Sequence, residues 1–213
     1  TDNKLLNDAY RIAAGDIVGN IVYYQNGLLT EEKPCMIAGL DYNTPWTRDT
    51  AINIWNALSI LSPEVSKNTL LAVLEEEEGN IYIGGQYWDS IIWMIGAREY
   101  CRFHKDDNFY RLAFEAGRNS VHRLEEDEFD EEDGLFRGPA VYGDGIAAYP
   151  DKYSKCPNQG SGILEWVDYP GNPVYPKGYG IPMKALSTNC VYFKVYEILA
   201  EMAHALGEPA KEF

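Results

Sequence analysis

Apolar residues recur at helical spacing in six stretches of the chain. Apolar side chains three or four positions apart are typical of helices that bury one face. The pattern predicts helices at 3–25, 48–61, 63–78, 86–104, 106–126 and 182–206. The second and third would form a helical hairpin. Since no alternating pattern of comparable length indicates a strand, the sequence predicts an all-α fold.

The segment 134–181, between the last two predicted helices, is rich in glycine, proline and aromatic residues, among them Tyr142. A disordered linker would contain few aromatics, and long ordered loops in compact domains are usually functional. We expect these aromatics to line a cavity at one end of the helices. The 5 tryptophans and 16 tyrosines favour sugar binding, because the C–H face of a sugar packs on an aromatic ring while its hydroxyls need fixed polar groups.

Composition and charge exclude several classes of function. A chain of 213 residues, 46% of them hydrophobic, is long enough for one domain with a sizeable core. Its net charge of −15 repels nucleic acid and anionic lipid surfaces. The apolar runs are too short to span a membrane. The 4 cysteines form no close pair and the histidines are isolated, so neither a metal site nor a disulfide framework is indicated.

Two predicted helix entrances combine aromatic side chains with carboxylates. They read TPWTRDTA at 44–51 and GGQYWDSI at 84–91. Taken alone, the first favours a simpler interpretation, in which Asp49 caps a helix and Arg48 is solvated. The repetition favours two walls of one aromatic pocket that binds vicinal hydroxyls. The candidate binding residues of these two segments are Trp46, Arg48, Asp49, Gln86, Trp88 and Asp89.

A third cluster, at 130–150, contains Asp144 between two glycines. By spacing alone, Asp144 is best interpreted as a turn aspartate, since Asp-Gly is a strong turn signal. The alternative is a general acid, kept protonated by a poorly solvated aromatic pocket. The acidic run at 125–133 just before it is interpreted as a solvated helix end.

The segment WTRDTA at 46–51 resembles the WTRD-S/T-A segment of the glucoamylase family. The order of the segments at 84–97, 134–150 and 183–207 is similar to that of the wider six-hairpin glycosidases, which include mannosyl-oligosaccharide glucosidases, trehalases and glycogen-debranching glucosidases. This resemblance implies antiparallel helical hairpins of an (α/α)6 barrel. It further implies that Arg48 and Asp49 contact the sugar in subsite −1.

The resemblance also implies the remaining site residues. Trp46, Trp88 and Asp89 would form the walls of the site, and Asp144 would be the general acid. Glucoamylases place a glutamate just after a tryptophan in this region, whereas this chain reads Leu135-Phe136-Arg137. Glu165, which precedes Trp166, is therefore the alternative acid.

The implied activity is hydrolysis of a glycosidic bond in an oligo- or polysaccharide, with no metal or organic cofactor. An inverting reaction needs an acid and a base about 6.5–9.5 Å apart. The Arg–Asp pair favours exo action on α-glucosides, and such a role suggests a periplasmic or extracellular location. The alternative is a non-catalytic carbohydrate-binding or structural helical-repeat protein. A lyase or epimerase with a tyrosine or histidine base also stays open.

An (α/α)6 barrel has twelve helices, and this sequence predicts six. Residues 1–213 are therefore expected to form a single domain that corresponds to the N-terminal half of the barrel. Further sequence or another subunit would supply the other half and the catalytic base, so the chain alone would bind sugar without turnover. A half-barrel also predicts an exposed apolar patch that includes Ile54, Leu58, Ile92 and Ile95.

Overall fold

A computed structural model of the chain describes residues 1–85, 88–138, 140–141, 184–211 and 213, with Trp88 described through its backbone. Among these residues about 60% are helical and 13% lie in strands of small antiparallel sheets. The fold is therefore mixed. The prediction of an all-α (α/α)6 toroid is wrong.

Each of the six predicted helical stretches contains a helix, although several end at different residues. The helices are α1 (Lys4–Gly19), α2 (Thr47–Asn53, continued through a π-helical turn at Ile54–Leu58 and ending as Ser59–Leu61), α3 (Pro63–Ala72), α4 (Trp88–Phe103), α5 (Asp107–Glu128) and α6 (Leu186–Leu206). In the part of the chain that the structure describes, none of them combines the length and apolar character that crossing a membrane requires.

Among the described residues, three short hairpins interrupt the helices. In the first, β1 (Ile21–Tyr24) pairs with β2 (Lys33–Met36), and Ile21 lies opposite Met36. In the second, β3 (Leu74–Glu77) pairs with β4 (Asn80–Ile83), and Leu74 lies opposite Ile83. In the third, β5 (Phe129–Asp130) pairs with β6 (Leu135–Phe136). All three pairs are antiparallel.

Local sequence explains why two predicted helices end early. The segment Ile21–Tyr24 reads IVYY, and β-branched and aromatic residues favour strands. After α3, Glu78 and Gly79 have φ angles of 51° and 82°, and two positive φ angles are typical of the two-residue turn of a tight hairpin. The apolar pattern of the first helix continues into Ile21–Tyr24, where the backbone is extended, whereas the segment after α3 is mostly acidic.

The hydrophobic core lies among α2 to α6, around the fully buried Trp93. The α2 and α4 helices approach closely at Gly96, where a Cβ atom would lie 2.8 Å from the Cα atom of Ala51. Ile54, Leu58 and Ile92 are buried, and Ile95 is partly buried against the same core. The exposed apolar patch predicted at these positions is therefore not found.

The second hairpin is fixed between α4 and α5 by side-chain hydrogen bonds to β4. The backbone N–H of Ile83 donates to the Ser120 hydroxyl at 2.9 Å, and the Ser90 hydroxyl donates to the Ile83 carbonyl at 3.0 Å. The Asn119 amide donates to the Ile81 carbonyl at 3.0 Å. These bonds hold the segment Gly84–Gly85, which follows β4, against the N-terminal end of α4.

Candidate functional site

A cavity of about 400 Å³ lies where the N-terminal ends of α2 and α4 meet. We call it the Trp46 cavity. The described residues that line it are Asn26, Thr44, Pro45, Trp46, Thr47, Ala72, Val73, Glu75, Gly84, Gly85 and Asp89. Its volume is within the range of small-molecule sites. The structure thus brings Trp46 and Asp89, from two separate helix entrances, to one cavity.

A close contact between the two helix entrances shapes one wall of the Trp46 cavity. The Thr47 hydroxyl donates to the Gly84 carbonyl at 2.9 Å. Gly85 has a φ angle of +107°, and a Cβ atom there would lie 2.7 Å from the Cβ of Asp89 and 2.9 Å from the Oγ1 of Thr47. Only glycine fits this position without displacing its neighbours. Asp89 itself is buried, with 8% of its surface exposed.

Trp46 forms an aromatic edge of the cavity, and the ring of Tyr42 packs against it. The two rings meet edge to face, with their centroids 5.9 Å apart and an angle of 77° between their planes. Trp46 is 39% exposed and directly precedes the first residue of α2. An exposed indole beside a polar cavity offers the flat apolar surface on which a sugar ring could pack.

Arg48 and Asp49 lie in the first turn of α2 and face each other, with the Nε of Arg48 3.7 Å from the Oδ2 of Asp49. Neither belongs to the described residues that line the Trp46 cavity. Asp49 is not at the N-cap position, which Trp46 occupies without a side-chain hydrogen bond to the helix; it is the acidic residue of the first turn. A direct role of this pair in sugar binding stays a prediction.

The other candidate residues are placed less completely. Trp88 is the first residue of α4. Gln86, Tyr142, Asp144 and Glu165 lie outside the described residues. We also predict that Asp144 converges on one cavity with Trp46, Arg48, Asp49, Trp88 and Asp89. That convergence, and the choice between Asp144 and Glu165 as general acid, stay predictions.

A second cavity, of about 240 Å³, adjoins the first. We call it the Glu128 cavity. The described residues that line it are Glu75, Tyr82, Ile83, Gly84, Gly85, Ser90, Ser120, Arg123, Leu124, Asp127 and Glu128. It shares Glu75, Gly84 and Gly85 with the Trp46 cavity. The segment that follows β4 thus borders both spaces.

Glu128 is a buried carboxyl group, 7% exposed, at the end of α5. Burial, with a smaller contribution from the neighbouring Asp127, raises the pKa of Glu128 to about 8, although Arg137 acts in the opposite direction. Its Oε2 atom has no hydrogen-bond partner among the described residues. At neutral pH this carboxyl group is therefore mostly protonated and can donate a hydrogen bond.

One wall of the Glu128 cavity is a fixed cation. The guanidinium of Arg123 donates to Glu77 at 2.7 Å and lies over the ring of Tyr82, 3.5 Å from its centroid. This hydrogen bond lowers the pKa of Glu77. Arg123 is thus already paired with a carboxylate and stacked on an aromatic ring, so its position in the wall is well determined.

The sequence interpretation missed Glu128 because it treated the whole acidic run at 125–133 as a solvated helix end. The helical spacing contained the signal. Val121 is buried and Leu124 packs against the core, and position 128 follows them by seven and four residues on the same face of α5. An acidic residue that continues an apolar stripe is a candidate for a buried, protonated carboxyl group.

Comparisons of the chain with known protein families, with curated proteins and with solved structures find no match.

Proposed function

We propose that the chain is a glycoside hydrolase that binds a saccharide in the Trp46 cavity and cleaves a glycosidic bond in an oligo- or polysaccharide. The observation that carries the proposal is that Trp46 and Asp89 line one cavity of about 400 Å³. We further propose inverting, exo-acting hydrolysis of α-glucosides without a cofactor. The resemblance of WTRDTA to the glucoamylase segment favours this finer assignment.

The geometry of the Trp46 cavity suits a polyhydroxylated ligand. The exposed Trp46 ring supplies an apolar face, and Asp89 supplies acceptor oxygens for ligand hydroxyls. The Thr47 hydroxyl uses its proton on the Gly84 carbonyl, so it can only accept a hydrogen bond from a ligand. Together these groups could hold a sugar ring by one face and by its edge.

Hydrolysis needs a proton donor and a base on opposite sides of the scissile bond. In this proposal Asp144 protonates the leaving oxygen, with Glu165 as the alternative donor. A carboxylate about 6.5–9.5 Å from the donor would activate the attacking water. Asp89 and Glu75 are the described carboxylates of the Trp46 cavity, and the proposal assigns them to binding.

The test is an assay of the native full-length protein on a panel of aryl α- and β-glycosides, with the anomer of the product followed by NMR. We expect turnover of an α-glucoside with release of the β-anomer. Asp144→Asn should abolish turnover and leave saccharide affinity largely intact, because the amide keeps the shape but cannot donate the proton. Full activity of this variant, combined with inactivity of Glu165→Gln, would move the role to Glu165.

A carbohydrate-binding protein without hydrolytic activity is the second candidate. It is favoured by the fact that two polar groups of the cavity are held by the backbone: the Thr47 hydroxyl by the Gly84 carbonyl, and the Asn26 amide by the Ala72 carbonyl at 3.2 Å. Such fixed groups orient a ligand but transfer no proton. Saccharide binding without turnover of any glycoside on the panel would establish this alternative.

A further inference from the structure

The Glu128 cavity contains a polar atom that no described residue satisfies. Only 7% of the surface of Glu128 is exposed. Its Oε2 atom accepts no hydrogen bond from the described residues. Leaving a buried polar group unsatisfied costs about 1–3 kcal/mol. Because Glu128 lines the cavity, a ligand group that reached this atom and bonded to it would remove that cost.

Three other polar groups around this cavity are committed to the protein. The Ser90 hydroxyl donates to the Ile83 carbonyl, and the Ser120 hydroxyl accepts from the Ile83 N–H. Arg123 is paired with Glu77. Compared with these three groups, Glu128 has an oxygen atom that no described residue bonds.

We propose that the Glu128 cavity is a ligand subsite in which the carboxyl group of Glu128 donates a hydrogen bond to a neutral, hydroxyl-bearing group. The assignment of that group to a saccharide rests on the proposed function, whereas the subsite itself does not. Gly84 and Gly85 border both cavities, so a ligand of more than one sugar unit bound in the Trp46 cavity could place a further hydroxyl group here.

The charges around Glu128 favour a neutral occupant. Asp127 lies beside it on α5, and Glu75 lines the same cavity from β3. Tyr192 on α6 is close enough for Glu128 to raise the pKa of its hydroxyl, after the larger effect of burial. In the part of the chain that the structure describes, the cations that face this region are Arg137, which follows β6, and Arg123, which is paired with Glu77. An anionic ligand would meet two carboxylates with little free positive charge to balance them.

The position of Glu128 in the fold supports its role as a donor. It is the last residue of α5, where the negative end of the helix dipole disfavours a second negative charge. Burial and Asp127 act in the same direction and raise the pKa to about 8. A carboxyl group that keeps its proton at neutral pH can donate to an ether or hydroxyl oxygen, which a carboxylate cannot do.

The experiment is a ¹³C NMR pH titration of the glutamate side-chain carboxyl carbons in the full chain, alone and with glycerol or maltotriose. The Glu128 resonance is assigned by its loss in Glu128→Gln, or in Glu128→Asp if the first variant does not fold. We expect Glu128 to titrate near pH 8 and to titrate higher with ligand. A rise of about half a pKa unit corresponds to roughly threefold tighter binding by the protonated form.

Affinity measurements with variants separate hydrogen-bond donation from a structural role. Maltotriose affinity of the wild type should fall as the pH rises through 8. In Glu128→Gln, whose amide donates at every pH, affinity should be retained and independent of pH. Glu128→Met should bind several-fold more weakly below pH 8. The matched control is Glu126→Gln, an exposed neighbour on α5, which should keep the wild-type pH dependence.

Two results would overturn the subsite: a Glu128 titration near the ordinary glutamate value, or a titration near pH 8 that neither glycerol nor maltotriose raises. The glycerol arm makes this test independent of glycoside hydrolysis. If no glycoside is bound or cleaved but glycerol raises the pKa of Glu128, the proposed function fails and the subsite stands. If glycosides are cleaved but no ligand affects Glu128, the subsite fails alone.

Discussion

Two buried carboxyl groups border adjoining cavities, and they lie at opposite ends of their helices. Asp89 is in the first turn of α4, whereas Glu128 is the last residue of α5. A negative charge is stabilised at a helix N-terminus and destabilised at a C-terminus. The helix dipole therefore favours a negative charge at Asp89 and disfavours one at Glu128, where the pKa is raised.

The two acidic side chains are alike in burial and differ in the neighbours described for them. Asp89 and Glu128 are almost equally buried, at 8% and 7% exposure. Their neighbours differ: Asp89 packs against Gly85 and Thr47, and Glu128 lies beside Asp127. The Trp46 cavity thus offers hydrogen-bond acceptors and an aromatic face, and the Glu128 cavity offers a hydrogen-bond donor. A hydroxyl group can both donate and accept a hydrogen bond, so it can use either cavity.

The largest expected effect comes from Glu128→Gln at alkaline pH. Unfolded Glu128 loses its proton near pH 4.5, whereas the native group keeps it to about pH 8. The free energy of unfolding of the wild type therefore falls across this window as the pH rises, and glutamine removes the loss. Urea denaturation should show the variant to be more stable than the wild type by a few kcal/mol at pH 9.

The same variant gives its own control at acid pH. Below about pH 4.5 Glu128 is protonated in both states, so the advantage of glutamine should disappear. Glu126→Gln, at an exposed position, should change the free energy of unfolding by less than about 0.5 kcal/mol at either pH. An equal effect of the two substitutions at pH 9 would contradict the account of Glu128.

Asp89→Asn tests the role of Asp89 in the Trp46 cavity. If Asp89 accepts hydrogen bonds from ligand hydroxyls as a carboxylate, the amide should weaken saccharide binding by about 1.5–3 kcal/mol, which is roughly tenfold or more. Isothermal titration with maltotriose measures this. Asp107→Asn is the matched control, because Asp107 also lies in the first turn of a helix but is exposed. Equal affinities of the two variants would remove Asp89 from the site.

Gly85→Ala should damage the wall that the two cavities share. A Cβ atom at this position meets Thr47 and Asp89, and the φ angle of +107° is unfavourable for alanine. Gly79→Ala is the control, because its φ angle is +82° but no atom lies within 4 Å of the added carbon. Thermal denaturation should show Gly85→Ala to be less stable than Gly79→Ala by about 1 kcal/mol or more. Equal stability would mean that the contact with Asp89 is not tight.

The smallest effect is expected from Trp46→Ala. Loss of the aromatic face should weaken saccharide binding by about 0.5–1.5 kcal/mol, or roughly two- to tenfold. Trp55→Ala is the matched control on the same helix, since Trp55 is 47% exposed and is not among the described lining residues of the Trp46 cavity. Competition binding with maltotriose should separate the two variants, and a larger loss from Trp55→Ala would place the aromatic contact elsewhere.

Helical periodicity predicted the positions of the helices well, because a stripe of apolar residues has to face the core over several turns. The hairpins were not predicted. A strand of four residues such as Leu74–Glu77 contains too few alternations to compete with the helical pattern before it. The positive φ angles of Glu78 and Gly79 define that turn, and Glu-Gly is a weaker sequence signal for it than Asn-Gly.

The placement of Trp46 and Asp89 at one cavity was predictable, because both residues combine suitable chemistry with a position at the start of a helix. Trp46 and Asp89 stand at helix entrances, and loops that follow turn-rich segments gather at helix ends, so their meeting at one cavity followed from the pattern. The contact through Gly85 depends on tertiary packing and has no local signature. Glu128 was missed because its acidic neighbours, which are exposed at 126 and 127, obscured the single position that faces the core.

The most direct test of the central claim, that the Trp46 cavity binds a saccharide, compares two double variants by isothermal titration. Trp46→Ala/Asp89→Asn changes both cavity residues, and Trp55→Ala/Asp107→Asn makes the same chemical changes outside the cavity. With maltotriose and the members of the glycoside panel as ligands, we predict that the first variant loses measurable binding and the second binds like the wild type. A wild type that binds none of these saccharides, or equal binding by the two variants, would contradict the account.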